Sequence, residues 1–205
     1  PLTPSQCKKL MEEHPKVEVI VQRSPIRVFE DKEYEKAGVK LVDNVQEADA
    51  LFGVKEVNVE DLIPDKTYFF FSHTTKKQPY NRKLLKAVLD KRIKLVDYEE
   101  LRNSVGRRII GFGRYAGIVG CYNGFLAYGE RTGAYQLKKA ENCYGLQELL
   151  KELSKVKLPD NFKIVLTGTG RVANGAMEIL EHAGVQRVRP KELLTVEFDK
   201  PVFAQ

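Results

Sequence analysis

Lys163-Ile164-Val165-Leu166-Thr167-Gly168-Thr169-Gly170-Arg171-Val172-Ala173 reads as an apolar strand running into a glycine-rich turn. Residues 176–182 then take helical spacing, and residues 186–189 return to a strand pattern. Strand, turn, helix and strand in that order open a βαβ unit. Gly168-x-Gly170-x-x-Ala173 fits the G-x-G-x-x-G/A pattern in the context that gives the pattern meaning. The first glycine permits a tight turn, and the second removes a side chain where a pyrophosphate would approach. The small third residue lets helix and strand pack closely, while the helix N terminus offers free N–H groups and its positive dipole end. Gly175 adds another position of close approach. The candidate cofactor-binding residues are therefore Gly168, Gly170, Arg171, Val172, Ala173 and Gly175. A plain strand–helix turn would use similar residues; the agreement of motif and context favours a nucleotide.

The residues after this unit bear on which nucleotide. An acidic residue at the end of the second strand favours NAD. Here the segment is Val185-Gln186-Arg187-Val188-Arg189-Pro190-Lys191, with Glu192 just beyond. Arg187, Arg189 and Lys191 suit a 2′-phosphate, or they are ordinary surface charges. The expectation is NAD(P), leaning to NADP.

Moving towards the N terminus, strand and helix patterns alternate. Thr3-Pro4 offers an N-cap and a first-turn proline for a helix to about Glu13. Residues 17–21, 39–42, 50–54, 67–71 and 93–96 read as short strands. Residues 31–37 read as a helix stopped by Gly38, and residues 82–90 as a helix with Leu84, Leu85, Val88 and Leu89 on one face. The aromatic run in 67–71 reads as a strand buried on both faces. Such alternation implies right-handed βαβ units and a parallel sheet. Gly106, Gly111, Gly113, Gly117 and Gly120 fall in one short stretch. A helix beginning near Arg114 would let another backbone come close, as suits a connector between two lobes. Residues 146–153 read as a further helix. The fold expectation is α/β, with two Rossmann-like parallel-sheet domains. Residues 1–130 form a substrate domain, 131–160 a connector, and 161–205 the start of a dinucleotide-binding domain that is truncated here, because such a domain needs more strands than remain.

Composition sets outer bounds. A hydrophobic share of 42% over 205 residues supplies a real core, and 30% charged residues point to a soluble chain. No run approaches the roughly 20 apolar residues of a membrane helix. The net charge of +6 is spread among acidic residues, as in Asp31-Lys32-Glu33-Tyr34-Glu35-Lys36, which is the pattern of a solvated face. With no aromatic–basic platform, nucleic-acid binding is the weakest reading. The excess charge would equally serve small anionic substrates. Cys7, Cys121 and Cys143 are an odd set without metal-ligand spacing, so reduced structural thiols in a cytoplasm-like compartment are expected. His14, His73 and His182 are too dispersed for a metal cluster, and no metal is expected. The start at Pro1-Leu2-Thr3-Pro4, without Met, signal or transit segment, is expected to reflect trimming or processing.

Three strand ends carry polar groups: Gly53-Val54-Lys55-Glu56, Phe70-Phe71-Ser72-His73-Thr74 and Asp97-Tyr98-Glu99. Carboxyl ends of parallel strands are where α/β proteins place ligands. Lys55, His73 and Glu99 together form a proton-transfer set, with histidine titrating near neutrality and lysine shifted by a neighbouring carboxylate. Residue by residue the plainer alternatives stay open. His73 is equally a strand-end histidine satisfied by backbone, and Lys55 equally a surface lysine with an apolar stem. Lys76 and Lys77 read as solvated loop charges. His14 and His182 fall near helix C termini and receive no catalytic role.

Leu51-Phe52-Gly53-Val54-Lys55, Thr67-Tyr68-Phe69-Phe70-Phe71-Ser72-His73-Thr74, Val96-Asp97-Tyr98-Glu99, and Gly106-Arg107-Arg108 through Gly113-Arg114-Tyr115-Ala116-Gly117 resemble the lysine-forming saccharopine dehydrogenases. Their lysine–ketoglutarate reductase form is the nearer match; alanine dehydrogenase and the transhydrogenase domain are more distant relatives. The resemblance implies two domains with an active site in the cleft, and the reductive condensation of lysine with 2-oxoglutarate to saccharopine, or its reverse, with NAD(P). It implies an acid–base pair at Lys55 and His73, a carboxylate at Glu99 neighbouring the lysine, and a substrate-binding arginine pair at Arg107 and Arg108. Alternation along an extended chain argues that only one of those arginines faces the site. The family also has an arginine before its Leu-Thr-Pro start, where this chain has Pro1. An alanine-dehydrogenase-like amino-acid dehydrogenase and a non-catalytic ligand-binding relative are the competing readings. Partners are then small molecules, with no nucleic acid or membrane; a homo-oligomer stays open, as does a mitochondrial location for a eukaryotic source.

Overall fold

Helix α1 (Pro4–Glu13) begins where Thr3 and Gln6 close a reciprocal cap: the Thr3 hydroxyl accepts from the Gln6 amide, and the Gln6 side chain accepts from the Thr3 amide. The computed structural model describes all residues from Pro1 to Gln205, which divide into two units, Pro1–Gly111 and Phe112–Gln205. No helix is long and apolar enough to cross a membrane.

In the first unit, β1 (Ile20–Gln22) and β2 (Lys40–Val42) pair in parallel, joined through α2 (Asp31–Lys36). Gly38, with φ of +78°, ends that helix in a conformation L-residues avoid. Cys7, Tyr34 and Val39 are buried together beneath this pair. A separate parallel sheet holds β3 (Ala50–Phe52), β4 (Thr67–Phe70) and β5 (Lys94–Asp97), with β4 central. The expectation of one sheet is thus corrected: strands of three or four residues form two ladders.

The crossover from β3 to β4 contains no helix. It is fastened by the Lys91 ammonium, which donates to the Val59 and Leu62 carbonyls, and by the Tyr68 hydroxyl, which accepts from the Ile63 amide. Helix α3 (Arg82–Asp90) buries Leu84 and Val88 but leaves Leu85 and Leu89 exposed. Residues four apart share a line on a helix, and the next residue along is turned about 100° from it, so the expected four-residue face is a two-residue stripe. On β4, Tyr68 and Phe70 are buried, whereas Phe69 stacks on the half-exposed Phe52 of β3. One face of β4 is core and the other only partly covered.

The second unit opens with α4 (Gly113–Thr132) and α5 (Leu146–Glu152). It continues through β6 (Lys163–Val165), α6 (Arg171–His182), β7 (Gln186–Arg187), α7 (Pro190–Thr195) and β8 (Val202–Ala204). All three strands are parallel, in the order β6-β8-β7. The sequence reading missed β8, whose Val202 and Phe203 are fully buried, and so missed the centre of this sheet. Ile118, Tyr122, Phe125, Leu149, Leu153, Ile179 and Phe203 form the core.

Helices α4 and α6 approach backbone to backbone. A Cβ on Gly117 would stand 1.9 Å from the Val172 carbonyl oxygen, and one on Gly175 would stand 1.9 Å from that of Arg114. The contact is clipped by a two-pronged ion pair from Arg114 to Glu178 at 2.7 and 2.6 Å. All three cysteines are free, and burial pushes the Cys121 thiol up to about 11, so it stays protonated at neutral pH.

Candidate active site

Beyond Phe70 the chain leaves β4 at the sheet's carboxyl edge and turns sharply. His73 holds φ 55° and ψ 11°, the left-handed region. For a residue with a Cβ this costs about 1–2 kcal/mol, so the surroundings must impose it. Ser72, fully buried, hydrogen-bonds at 2.5 Å to Asp97 at the end of β5 and accepts from the Thr74 amide at 3.1 Å. The other oxygen of Asp97 accepts from the Glu99 amide at 2.9 Å. Asn81 donates to the His73 carbonyl at 3.1 Å. Asp97 thus fastens the Ser72–Thr74 turn and the segment carrying Glu99 to each other.

That arrangement brings together a charged cluster. The Glu99 side chain is only 4% exposed. His73 Nδ1 lies 3.1 Å from its Oε2, while Lys76 Nζ and Arg108 Nη2 each lie 3.4 Å from Oε1. Lys76 Nζ also lies 3.0 Å from His73 Nδ1. Burial disfavours the Glu99 carboxylate, but the His73 hydrogen bond and the Lys76 charge outweigh it and hold the carboxyl below its ordinary range. His73 Nδ1 has room for one proton. Carrying it, the ring donates to Glu99; without it, the ring accepts from Lys76. A single proton shift therefore exchanges partners among three groups, which is what a proton-transfer site requires.

The linkage has a definite sign. A carboxyl with lowered folded pKa contributes stability above its ordinary value near 4.5, and that contribution is lost as pH falls through the folded value. Glu99→Gln is expected to destabilise the fold by roughly 1–3 kcal/mol at neutral pH. The gap from wild type should shrink on acidification below about pH 4.5. Urea melts across that range check it; a gap that is independent of pH would refute the ion cluster.

The other residues singled out from the sequence are placed unevenly. Lys55 is exposed and its side chain makes no hydrogen bond or ion pair. The carboxylate expected to neighbour it, Glu99, is engaged by His73, Lys76 and Arg108 instead. Of the arginine pair, Arg108 reaches Glu99, while Arg107 is exposed and is fixed through its backbone to Asn103. Lys76 is not a free loop charge, since the tight turn after His73 folds it back onto the cluster. Sequence reasoning quotes Ser72 and Asp97 within the strand-end segments but gives them no role, and it does not single out Asn81; the Asp-x-Glu spacing at 97 and 99 is the available signal.

In the second unit, Gly168 has φ of +88°, and a Cβ on Gly168 or Gly170 would meet nothing within 4 Å. Gly170 is the N-cap of α6 and no side chain caps that helix end. Arg171 and Val172 are exposed on its first turn, and Ala173 is buried behind them. An open glycine turn on an uncapped helix fits the pyrophosphate of a dinucleotide. Gly175 has another explanation, because the close approach there is made by α4. No group of His, Cys, Asp or Glu side chains comes together that could hold a metal ion.

The family described as alanine dehydrogenase/PNT, N-terminal domain, matches residues 1–119. The chain belongs to this family. Solved structures share its fold at low identity: an L-alanine dehydrogenase structure aligns over 100% of the chain and 56% of its own, at TM-score 0.63 and 16% identity. A transhydrogenase from Sinorhizobium meliloti aligns over 98% of this chain and 58% of its own, at TM-score 0.60 and 17% identity. Sequence likeness is greater to alpha-aminoadipic semialdehyde synthase, mitochondrial, of Bos taurus, at 36% identity over 87% of this chain and 21% of that protein. Saccharopine dehydrogenase [NAD(+), L-lysine-forming] of Emericella nidulans is 31% identical over 90% of this chain and 53% of that protein. The chain thus spans about a fifth to a half of the length of these relatives.

Proposed function

We propose that the protein is a nicotinamide-dependent oxidoreductase of lysine metabolism, joining lysine to 2-oxoglutarate to give saccharopine or running that reaction backwards. The observation that carries the reading is the buried Glu99 carboxylate, ringed by His73, Lys76 and Arg108 at the carboxyl edge of a parallel sheet. The relatives' names supply the substrate class.

The chemistry suits these residue types. The lysine ammonium must lose a proton before its amine attacks the ketone, and the carbinolamine must gain one to expel water. His73, held at Nδ1 by Glu99 and Lys76, would do both through its other ring nitrogen. Lys55, exposed and unpaired, would share acid–base work once substrate arrives. Arg108, and Arg107 beside it, would hold carboxylates of the dicarboxylate substrate. Gly168, Gly170, Arg171 and Val172 would hold the dinucleotide pyrophosphate; the nicotinamide, when bound, supplies the hydride that reduces the imine.

The test is NADPH and NADH oxidation by the full-length protein, with lysine and 2-oxoglutarate supplied singly and together. Oxidation only with both is expected. Turnover with a keto acid and ammonia instead would point to an amino-acid dehydrogenase, and no oxidation by folded protein to a non-catalytic relative.

A further inference from the structure

The ladder between β4 and β5 stops short of the residues that carry the chemistry. Phe70 and Asp97 are its last partners, and the Tyr98 amide still donates to the Phe70 carbonyl at 3.2 Å. The next amide, that of Phe71, donates the other way, to the Val54 carbonyl just past β3, at 3.1 Å. His73 and Glu99 lie three and two residues beyond the last ladder partners, where the two chains have parted.

Asp97 spans that gap with its side chain. Its Oδ2 accepts from the Ser72 hydroxyl at 2.5 Å and its Oδ1 from the Glu99 amide at 2.9 Å, so one carboxylate holds the residue before His73 and the backbone of Glu99. Both bonds need an acceptor, and a carboxylate is an acceptor at each oxygen. The hydroxyl protons are thereby ordered. Ser72 gives its only proton to Asp97, so the Thr74 hydroxyl, 2.7 Å away, donates to Ser72, which also accepts from the Thr74 amide at 3.1 Å. The fully buried Ser72 hydroxyl is then satisfied as donor and at both lone pairs. His73 sits between these two fastened residues, and its own carbonyl accepts from Asn81 at 3.1 Å. Its Nδ1 is turned to Glu99 at 3.1 Å and to Lys76 at 3.0 Å, which leaves Nε2 to meet a substrate.

We infer that Asp97 is a positioning residue: by clamping Ser72 to the Glu99 backbone it holds His73 with Nδ1 on the buried carboxylate and Nε2 as the reacting nitrogen. The inference rests on the acid–base reading of His73.

The test pairs long-range proton–nitrogen NMR of the imidazoles in full-length protein with turnover of lysine and 2-oxoglutarate; the His73 signals are those missing from His73→Asn. Asp97→Ala is expected to shift both His73 ring nitrogens and to lower kcat about 10²-fold, the cost of a misplacement of about 1 Å, with the KM for lysine little changed. Asp97→Asn should keep the wild-type ring signals and most of kcat. Its amide oxygen can accept from the Glu99 amide, and its NH2 can donate to Ser72 once the Ser72 and Thr74 hydroxyls turn round. Ser72→Ala cuts only the Oδ2 arm and stands in should Asp97→Ala not fold; it is expected to shift the same signals with a smaller loss of rate. Wild-type ring signals in folded Asp97→Ala or Ser72→Ala, or an Asp97→Asn protein as impaired as Asp97→Ala, overturns the inference alone. Failure of folded wild type to turn over lysine and 2-oxoglutarate overturns the reaction reading, and the ring signals still decide whether Asp97 places His73.

Discussion

Gly117→Ala is expected to weaken the second unit by about 3 kcal/mol or more, a large share of the 5–15 kcal/mol that holds a typical domain together. The added methyl would stand 1.9 Å from the Val172 carbonyl oxygen and 2.8 Å from the Ala176 nitrogen, so it meets the backbone of α6 rather than a movable side chain. No rotamer change relieves this; α4 and α6 must separate, loosening the core to which Ile118 and Ile179 both belong. Gly175→Ala pushes the same two helices apart from the other side, against the Arg114 carbonyl, and should cost a similar amount. Gly120→Ala and Gly124→Ala lie on the same helix with nothing within 4 Å of the new methyl. They should stabilise by up to about 1 kcal/mol, because alanine is the better helix former. Urea denaturation of the four variants gives a contrast in sign within one helix. A Gly117→Ala protein as stable as wild type would disprove the close approach of α4 and α6.

That contrast marks how far the sequence could be read. A cluster of glycines near Arg114 signalled a close approach, and the structure supplies one, from α6 within the second unit. Which glycines mattered was not legible, since it depends on the crossing point of two helices about 60 residues apart in sequence. The α/β alternation and the parallel pairing were legible from strand and helix periodicity. The centre of the second sheet was not. Val202-Phe203-Ala204 is three residues long and bounded by Pro201, too short to show a period, and its place between β6 and β7 is a matter of topology alone. Leu85 and Leu89 misled because apolar spacing does not say which side of a helix stripe is covered.

The site was legible in kind more than in wiring. His73, Glu99 and Arg108 were singled out as chemical residues and lie in one cluster. Lys76 was set aside because a lysine in a polar loop is ordinarily solvated. Its inclusion follows from the left-handed turn at His73 and the single helical turn after it, which carry the side chain back over the imidazole. Histidine enters that conformation more readily than most residues, but nothing local in the sequence says that this one does. The turn is fastened by the buried Ser72–Asp97 hydrogen bond, which joins residues 25 apart.

His73→Asn is expected to lower turnover by 10²- to 10⁴-fold in the full-length protein, the usual weight of one general acid–base group. Asparagine is the informative replacement. It tolerates the left-handed backbone at this position, where alanine would keep the strain and lose the hydrogen bonds. Its amide can still meet the Glu99 carboxylate, so the variant should stay within about 1 kcal/mol of wild-type stability. What it cannot do is gain and lose a proton near neutral pH. The loss should therefore fall on kcat, with the KM for lysine little changed, and the limb of the pH–rate profile that belongs to this group should vanish. Glu99→Gln gives the complementary result: it leaves the imidazole in place but removes the carboxylate that meets Nδ1, so a smaller loss of rate than in His73→Asn is expected. Full turnover in His73→Asn would transfer the proton chemistry to Lys55 or Lys76, and full turnover in the further variants Lys55→Met and Lys76→Met would remove it from all three residues.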